Sequence, residues 1–281
     1  MNIMVMAGTS DARRIIKCLS SREGVNILAT ATTPHGSELA RISGANRILE
    51  GRFDSDELLE IIKKNDIELL IDATHPFAAA ATQNAIKASD TMGVDYIRFE
   101  RPSTKLPDSE LVFKSNSFED AVKTILELLN RNDSISSAEF SSKKRSSAED
   151  LTDESGRVFH MAGGNTLHYL TNYIPQEKIV VRVIPTVYSV KRCLELGIPH
   201  RNIIAMEGTF SKEFNEILMK EYQVDVVLTK ESGMSGGTLP KIQAALDVGI
   251  PSVVVMRPEI KELRGRTVLK EIESLCDELF R

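Results

Sequence analysis

Short apolar runs alternate with amphipathic stretches along almost the whole chain, at the rhythm of β–α units. In the first hundred residues the runs predict strands over 2–7, 25–31, 46–49, 68–72 and 94–98. The helical-period stretches between them predict helices near 10–22, 35–43, 54–64 and 77–92. Ser10 or Asp11 suits the cap of the first helix and Asp54 that of the third, since their side-chain oxygens accept from orphan amides. Pro102 cannot continue a strand ladder, so the first domain is expected to end there. The second half repeats the rhythm, with strands expected at 110–113, 157–161, 179–183, 202–206, 224–228 and 251–256. Its helices are expected near 117–130, 165–171, 188–195, 211–221, 237–247 and 262–280. Such alternation predicts an α/β protein of two doubly wound, Rossmann-like domains, 1–102 and 103–281, with mainly parallel sheets. An interdomain cleft is the expected ligand site.

One stretch breaks the rhythm. Residues 131–157 hold eight serines and eleven charged residues, with Ile135, Phe140 and Leu151 as their only large apolar side chains. They bury too little surface to offset their ordering entropy and read as a mobile surface insertion.

Composition narrows the partners. The 281 residues are 42% hydrophobic and 27% charged, as in soluble globular proteins. A net charge of −5 argues against nucleic acid or an anionic membrane as the main partner. No run approaches the ~20 apolar residues of a membrane span, and Asn2 enters a strand without a basic leader, so a cytoplasmic location is expected. Cys18, Cys193 and Cys276 are odd in number and widely spaced, which reads as reduced thiols and not a disulfide framework. No metal-ligand spacing occurs among the five dispersed histidines.

The candidate chemistry gathers at strand ends, where ligand crevices of parallel sheets lie. Gly8-Thr9-Ser10-Asp11-Ala12-Arg13 follows the first strand and offers amides and hydroxyls to a pyrophosphate, with Arg13 one turn inside the helix. It is a degenerate form of the dinucleotide fingerprint. After the second strand, Thr32 and Thr33 stand where an NAD site usually carries an acid, and the first acid is Glu38. That favours NADPH and leaves NADH open. Thr74-His75-Pro76-Phe77 follows the fourth strand, where a nicotinamide would pass, and His75 either donates a proton or fixes its own loop. In the second domain Thr229-Lys230-Glu231-Ser232-Gly233, Gly236-Gly237 with Lys241, and Gly163-Gly164-Asn165-Thr166 make similar turns suited to an anion. Arg182 and Arg257 stand at further strand ends of that rim. The letters Gly233-Met234-Ser235-Gly236-Gly237 match a nucleophile elbow, but Ser235 lies several residues past its strand and no histidine follows His200.

Taken together, these clusters resemble the precorrin-6A reductase family of corrin biosynthesis. The points of resemblance are Gly8 to Arg13, Asp72-Ala73-Thr74-His75-Pro76-Phe77-Ala78, Arg98-Phe99-Glu100-Arg101-Pro102 and Gly208-Thr209-Phe210-Ser211. Thr229 to Gly233, Lys241 with Ala244-Ala245, and Arg257-Pro258 complete them, in order along the chain. Thr209 stands where the family often has Pro, and the 131–157 insertion has no expected counterpart. The resemblance implies a two-domain reductase that saturates the C18–C19 bond of a tetrapyrrole-derived macrocycle with a reduced nicotinamide. Cobalt, where present, belongs to the substrate. The first domain is then expected to bind the nicotinamide cofactor through Gly8, Thr9, Ser10, Arg13, Thr32, Thr33, Thr74, Pro76 and Phe77. The anionic ring is expected to meet Arg98, Arg101, Gly163, Ser232, Gly233, Gly236, Gly237 and Lys241. The proton is expected from His75, Lys230 or water. Transient contact with neighbouring corrin-pathway enzymes is compatible with this picture, and a nucleotide sensor without chemistry is the alternative. A sugar-nucleotide reductase is disfavoured, since no Tyr has a Lys four residues on.

Overall fold

The computed structural model describes residues 1–140, 156–233 and 236–279, and of 131–140, 277 and 278 it describes the backbone alone. Among the described residues, twelve strands form two six-stranded sheets, every pair parallel. The chain divides into two compact units, Met1–Pro102 with Pro258–Arg281, and Ser103–Arg257.

The first unit contains β1 (Asn2–Met6), α1 (Ser10–Ser20), β2 (Asn26–Ala31), α2 (Pro34–Ile42), β3 (Arg47–Glu50), α3 (Ser55–Lys64), β4 (Leu69–Asp72), α4 (Ala79–Met92) and β5 (Asp95–Phe99). Side chains alternate across a strand. Ile3 and Val5 therefore enter one apolar core with Ile15 and Leu19 of α1, while Met4 and Met6 enter another with Leu58 and Ile62 of α3. A sheet covered on both faces explains why its strands read as continuous apolar runs. Asp54 caps α3 in a reciprocal capping box with Glu57.

The second unit contains β6 (Val112–Ser115), α5 (Phe118–Phe140), β7 (Val158–His160), α6 (His168–Thr171), β8 (Ile179–Val183), α7 (Val187–Glu195), β9 (Ile203–Ala205), α8 (Lys212–Glu221), β10 (Val226–Lys230), α9 (Thr238–Asp247) and β11 (Ser252–Val255). Of the expected insertion, residues 131–140 continue α5, and 141–155 lie outside the described residues.

The C-terminal segment corrects three expectations. In place of one helix over 262–280, the chain makes a short turn of 3-10 helix, β12 (Val268–Leu269) and α10 (Ile272–Leu279). Gly265, at φ +78°, adopts a left-handed conformation that ends any continuous helix. Residues 258–281 also leave the second unit. Val268 and Leu269 pair with Arg98 and Phe99 of β5, and Ile272, Leu275 and Cys276 join the core that α1 covers. The apolar face of α10 thus finds its partner at the opposite end of the sequence. That packing joins Cys18 to Cys276 in a disulfide across 258 residues, which corrects the reading of three reduced thiols. Cys193 is a free, buried thiol whose pKa burial pushes up.

Strand order β12-β5-β4-β1-β2-β3 places the switch point of the first sheet between β1 and β4. Order β6-β11-β10-β7-β8-β9 places that of the second between β7 and β10. Both candidate clusters of each half therefore stand at a switch point.

Candidate active site

At the first switch point Gly8 turns the chain with φ +118°, and the position a Cβ would take meets no atom within 4 Å. Thr9 caps α1 by accepting from the Ala12 amide (3.0 Å), and its hydroxyl donates to the Ala73 carbonyl (2.8 Å). One side chain thus ties together the two clusters of the first half. Ser10 and Arg13 are half-buried beside it, and Thr32 and Thr33 are exposed at the end of β2, where Thr33 accepts from the Gly36 amide (3.1 Å) to cap α2.

The loop after β4 hangs from one buried carboxylate. Asp72 Oδ1 accepts from the Thr74 amide (3.0 Å), the Thr74 hydroxyl (2.7 Å) and Arg98 Nη1 (2.8 Å), and Oδ2 accepts from the Tyr96 hydroxyl (3.0 Å). Burial, with Asp72 beside it, pushes the Tyr96 pKa far upward, so the phenol stays a donor. His75 Nδ1 accepts from the Phe77 amide (3.2 Å), so the neutral ring carries its proton on Nε2. Pro76 is buried and Phe77 half-buried, with rings of His75 and Phe77 5.8 Å apart. No side chain caps α4, which begins directly after this loop.

Arg98 and Arg101, which the sequence places at the ring, both lie in the first unit. Arg98 is fully buried in the first unit, its charge committed to Asp72 and, through Nε, to Glu100 (3.4 Å). Arg101 pairs through Nε with Asp11 (2.7 Å) in the first turn of α1. Both serve the framework of the first switch point.

The second unit gathers a different charge. Lys230 ends β10, Arg182 stands near the end of β8, and Lys241 lies near the start of α9. Arg182 donates through Nη1 to Asn215 Oδ1 (2.8 Å), and its guanidinium lies 4.8 Å from the centre of the Phe210 ring. Asn215 is itself held by Nδ2, which donates to the Ser211 carbonyl (2.7 Å). Lys241 Nζ donates to the Gly236 carbonyl (3.0 Å). Among the described residues neither Arg182 nor Lys241 has a carboxylate partner. Burial lowers the Arg182 pKa to about 10 and that of Lys230 to about 8. Burial, with Arg182 and Lys230 nearby, lowers Lys241 to about 7. His160, at the end of β7, is fully buried, and burial with Lys230 beside it lowers its pKa to about 3, so it is neutral.

The loop after β10 is built to hold its shape. The Ser232 amide donates to Thr238 Oγ1 (3.0 Å), and the Ser232 and Thr238 hydroxyls both donate to the Lys230 carbonyl (3.3 Å each). Gly233 donates its amide to Glu231 Oε1 (2.8 Å). A Cβ on Gly236 would collide with the Ser232 side chain, and Gly237 opens α9 without a side-chain cap. Gly163 turns the chain after β7, with open space where its Cβ would stand. Sequence reasoning passed over Asp72, Tyr96, His160, Phe210, Asn215 and Glu231 as site residues. For Phe210 a signal existed, since it lies in the Gly208-Thr209-Phe210-Ser211 run.

Known proteins match this chain along its length. A family model described as precorrin-6x reductase CbiJ/CobK matches residues 2–279. The chain is 42% identical over 281 residues to a cobalt-precorrin-6A reductase of Methanothermobacter thermautotrophicus, covering 100% of this chain and 84% of that protein. It is 35% identical over 260 residues to a cobalt-precorrin-6A reductase of Methanocaldococcus jannaschii, covering 92% of each. A solved structure, CobK precorrin-6A reductase, shares the fold with a TM-score of 0.69 at 21% identity, over 99% of this chain and 96% of that one. The chain belongs to the CbiJ/CobK precorrin-6x reductase family, NAD(P)H-dependent oxidoreductases that reduce a carbon–carbon double bond in cobalamin biosynthesis.

Proposed function

We propose that this protein is a cytoplasmic enzyme that reduces cobalt-precorrin-6A at C18–C19, with NADPH as its reductant. The observation that carries the ring assignment is the group of Arg182, Lys230 and Lys241 at the second switch point. Buried cations of one sign repel each other, and Arg182 and Lys241 have no acid to offset them among the described residues. A polyanionic ring supplies that offset through its acetate and propionate groups, each charge-assisted contact contributing about 1.5–3 kcal/mol. Beside the cations, at the end of β8 and the start of α7, Ile184, Val187 and Tyr188 are 49%, 85% and 55% exposed. An apolar ring with an anionic rim matches such an apolar surface next to buried cations. The names of the two relatives above support the cobalt form over the metal-free ring.

The first switch point fits a reduced nicotinamide dinucleotide. The space above Gly8 admits a pyrophosphate beside the amides that open α1, with Thr9, Ser10 and Arg13 around it. When bound, the cofactor supplies the hydride. Thr74, Pro76 and Phe77 wall the loop after β4, and His75, with Nε2 as its donor, orients what lies against it. NADPH is favoured because acids near Thr32 and Thr33 are already engaged: Glu38 pairs with Arg41 (2.6 Å) and Glu50 accepts from Ser37 (2.9 Å). Gly8→Ala is expected to raise KM for NADPH roughly 10–100-fold, from the strain of its positive φ and the methyl placed in the cradle, and to leave ring affinity unchanged. Steady-state kinetics with each ligand varied in turn checks this.

Lys230 is the proposed proton donor, since an ammonium of pKa about 8 is poised to give up a proton near neutral pH. Lys230→Ala should lower turnover about 10²–10⁴-fold, and His75→Ala should lower it much less. Wild-type turnover in both variants would make solvent the donor.

The deciding experiment is anaerobic incubation with precorrin-6A or its cobalt form, each with NADPH and with NADH, followed by visible spectra. Saturating one ring bond shortens the conjugated system. A change that needs enzyme, the cobalt ring and NADPH supports the reading. Folded, cofactor-binding protein that changes neither ring would overturn it.

A further inference from the structure

We infer that Glu231 is a positioning residue for ring binding, a single buried carboxylate that fixes the loop after Lys230 to both ends of the second unit. The inference rests on the reading above, that the Lys230–Lys241 edge binds the ring. Glu231 is fully buried. Its Oε1 accepts from the Thr104 amide (2.9 Å), the Gly233 amide (2.8 Å) and Arg257 Nη2 (3.5 Å), and its Oε2 pairs with Arg257 Nε. These donors come from three places in the chain. Thr104 lies one residue inside the start of the second unit, Arg257 is its last residue, and Gly233 belongs to the loop that presents Ser232 beside Lys230.

A carboxylate suits this junction because it accepts from several donors at once and offsets one guanidinium. Gln has a single acceptor oxygen and would turn donors toward Arg257. Asp keeps the charge and loses reach by one methylene. Glu231 also stands next to Lys230 in sequence, yet its oxygens are spent on Thr104, Gly233 and Arg257. The acid therefore stabilises the loop while its charge is offset by Arg257, and the positive field of Arg182 and Lys241 is kept for a ligand.

Two variants separate position from charge. Glu231→Gln removes a negative charge and Arg257→Met removes a positive one, so a residue acting through the field alone would move ring affinity in opposite directions. A positioning role predicts that both raise KM for the ring about tenfold, with KM for NADPH unchanged and kcat within about twofold. Measurements run well below each variant's melting temperature, and ring binding is also titrated by absorbance. Should either variant fail to fold, Glu231→Asp serves as the milder probe, with a smaller rise in ring KM expected. Opposite shifts, or ring KM unchanged in the folded variants with only the melting temperature lowered, would overturn the inference. Wild-type enzyme that neither binds nor reduces the ring would instead bring down the functional reading, and this inference with it.

Discussion

Lys241→Met is expected to make the protein more stable and less able to hold its substrate. In the folded chain burial holds the Lys241 pKa near 7, against 10.5 for the unperturbed group. The unfolded chain therefore binds more protons between these values, and stability rises with pH across that window. The penalty of burying the cation is complete below about pH 7 and fades as pH climbs toward 10.5. Replacing the ammonium by a thioether of similar length removes that penalty. The melting temperature at pH 6.5 should rise by roughly 2–10 °C, with a smaller gain at pH 9.5. Ring KM should rise roughly 10–100-fold for the loss of one charge-assisted contact. NADPH affinity should not move. In the wild type kcat/KM for the ring is expected to fall as pH passes about 7 to 8, as Lys241 and then Lys230 lose their charge, which a pH series of ring kinetics checks. A lower melting temperature in the variant would mean that Lys241 has an anionic partner in the free protein. Unchanged ring KM would remove it from the binding surface.

Asp72→Ala is expected to have the opposite character, with large cost to stability and a misplaced loop. The substitution leaves the Arg98 guanidinium fully buried without its main counter-charge, and it strips Thr74 and Tyr96 of their acceptor. Breaking one partner of a buried ion pair costs about 3–5 kcal/mol, which corresponds to a fall of roughly 10 °C in melting temperature. The double variant Asp72→Leu/Arg98→Met removes both charges together and should recover most of that loss. It should not recover NADPH affinity, because Thr74 still lacks the acceptor that holds the His75 loop. Thermal unfolding and cofactor titration on the single and double variants separate the two effects. A double variant that regains full cofactor affinity would show that the loop holds its shape without Asp72.

The elements of both sheets were legible in the sequence wherever a strand or helix owes its form to its own residues. Ile3 to Met6 and Val226 to Leu228 are apolar on both faces, and Asp54 with Glu57 marks the start of α3 whatever surrounds it. The turn at the end of β1 was legible for the same reason, because Gly8 and the hydroxyls of Thr9 and Ser10 mark it locally. β12 was not legible. Two residues carry no periodicity, and Val268 and Leu269 form a strand only because β5 lies open to pair with them.

Charge was the least legible property. Nothing local separates Arg98, fully buried on Asp72 twenty-six positions away, from Arg182, which has no acid at all among the described residues. The sequence by itself determined two parallel α/β sheets and the turns at their carboxyl edges, since these follow from short-range pattern and stereochemistry. Only the tertiary structure decided that residues 258–281 return to the first unit, that Cys18 meets Cys276, and that Arg98 lies on a carboxylate while Arg182 does not among the described residues. Each of those outcomes depends on partners far apart in the chain, and distance along the sequence says nothing of distance in space.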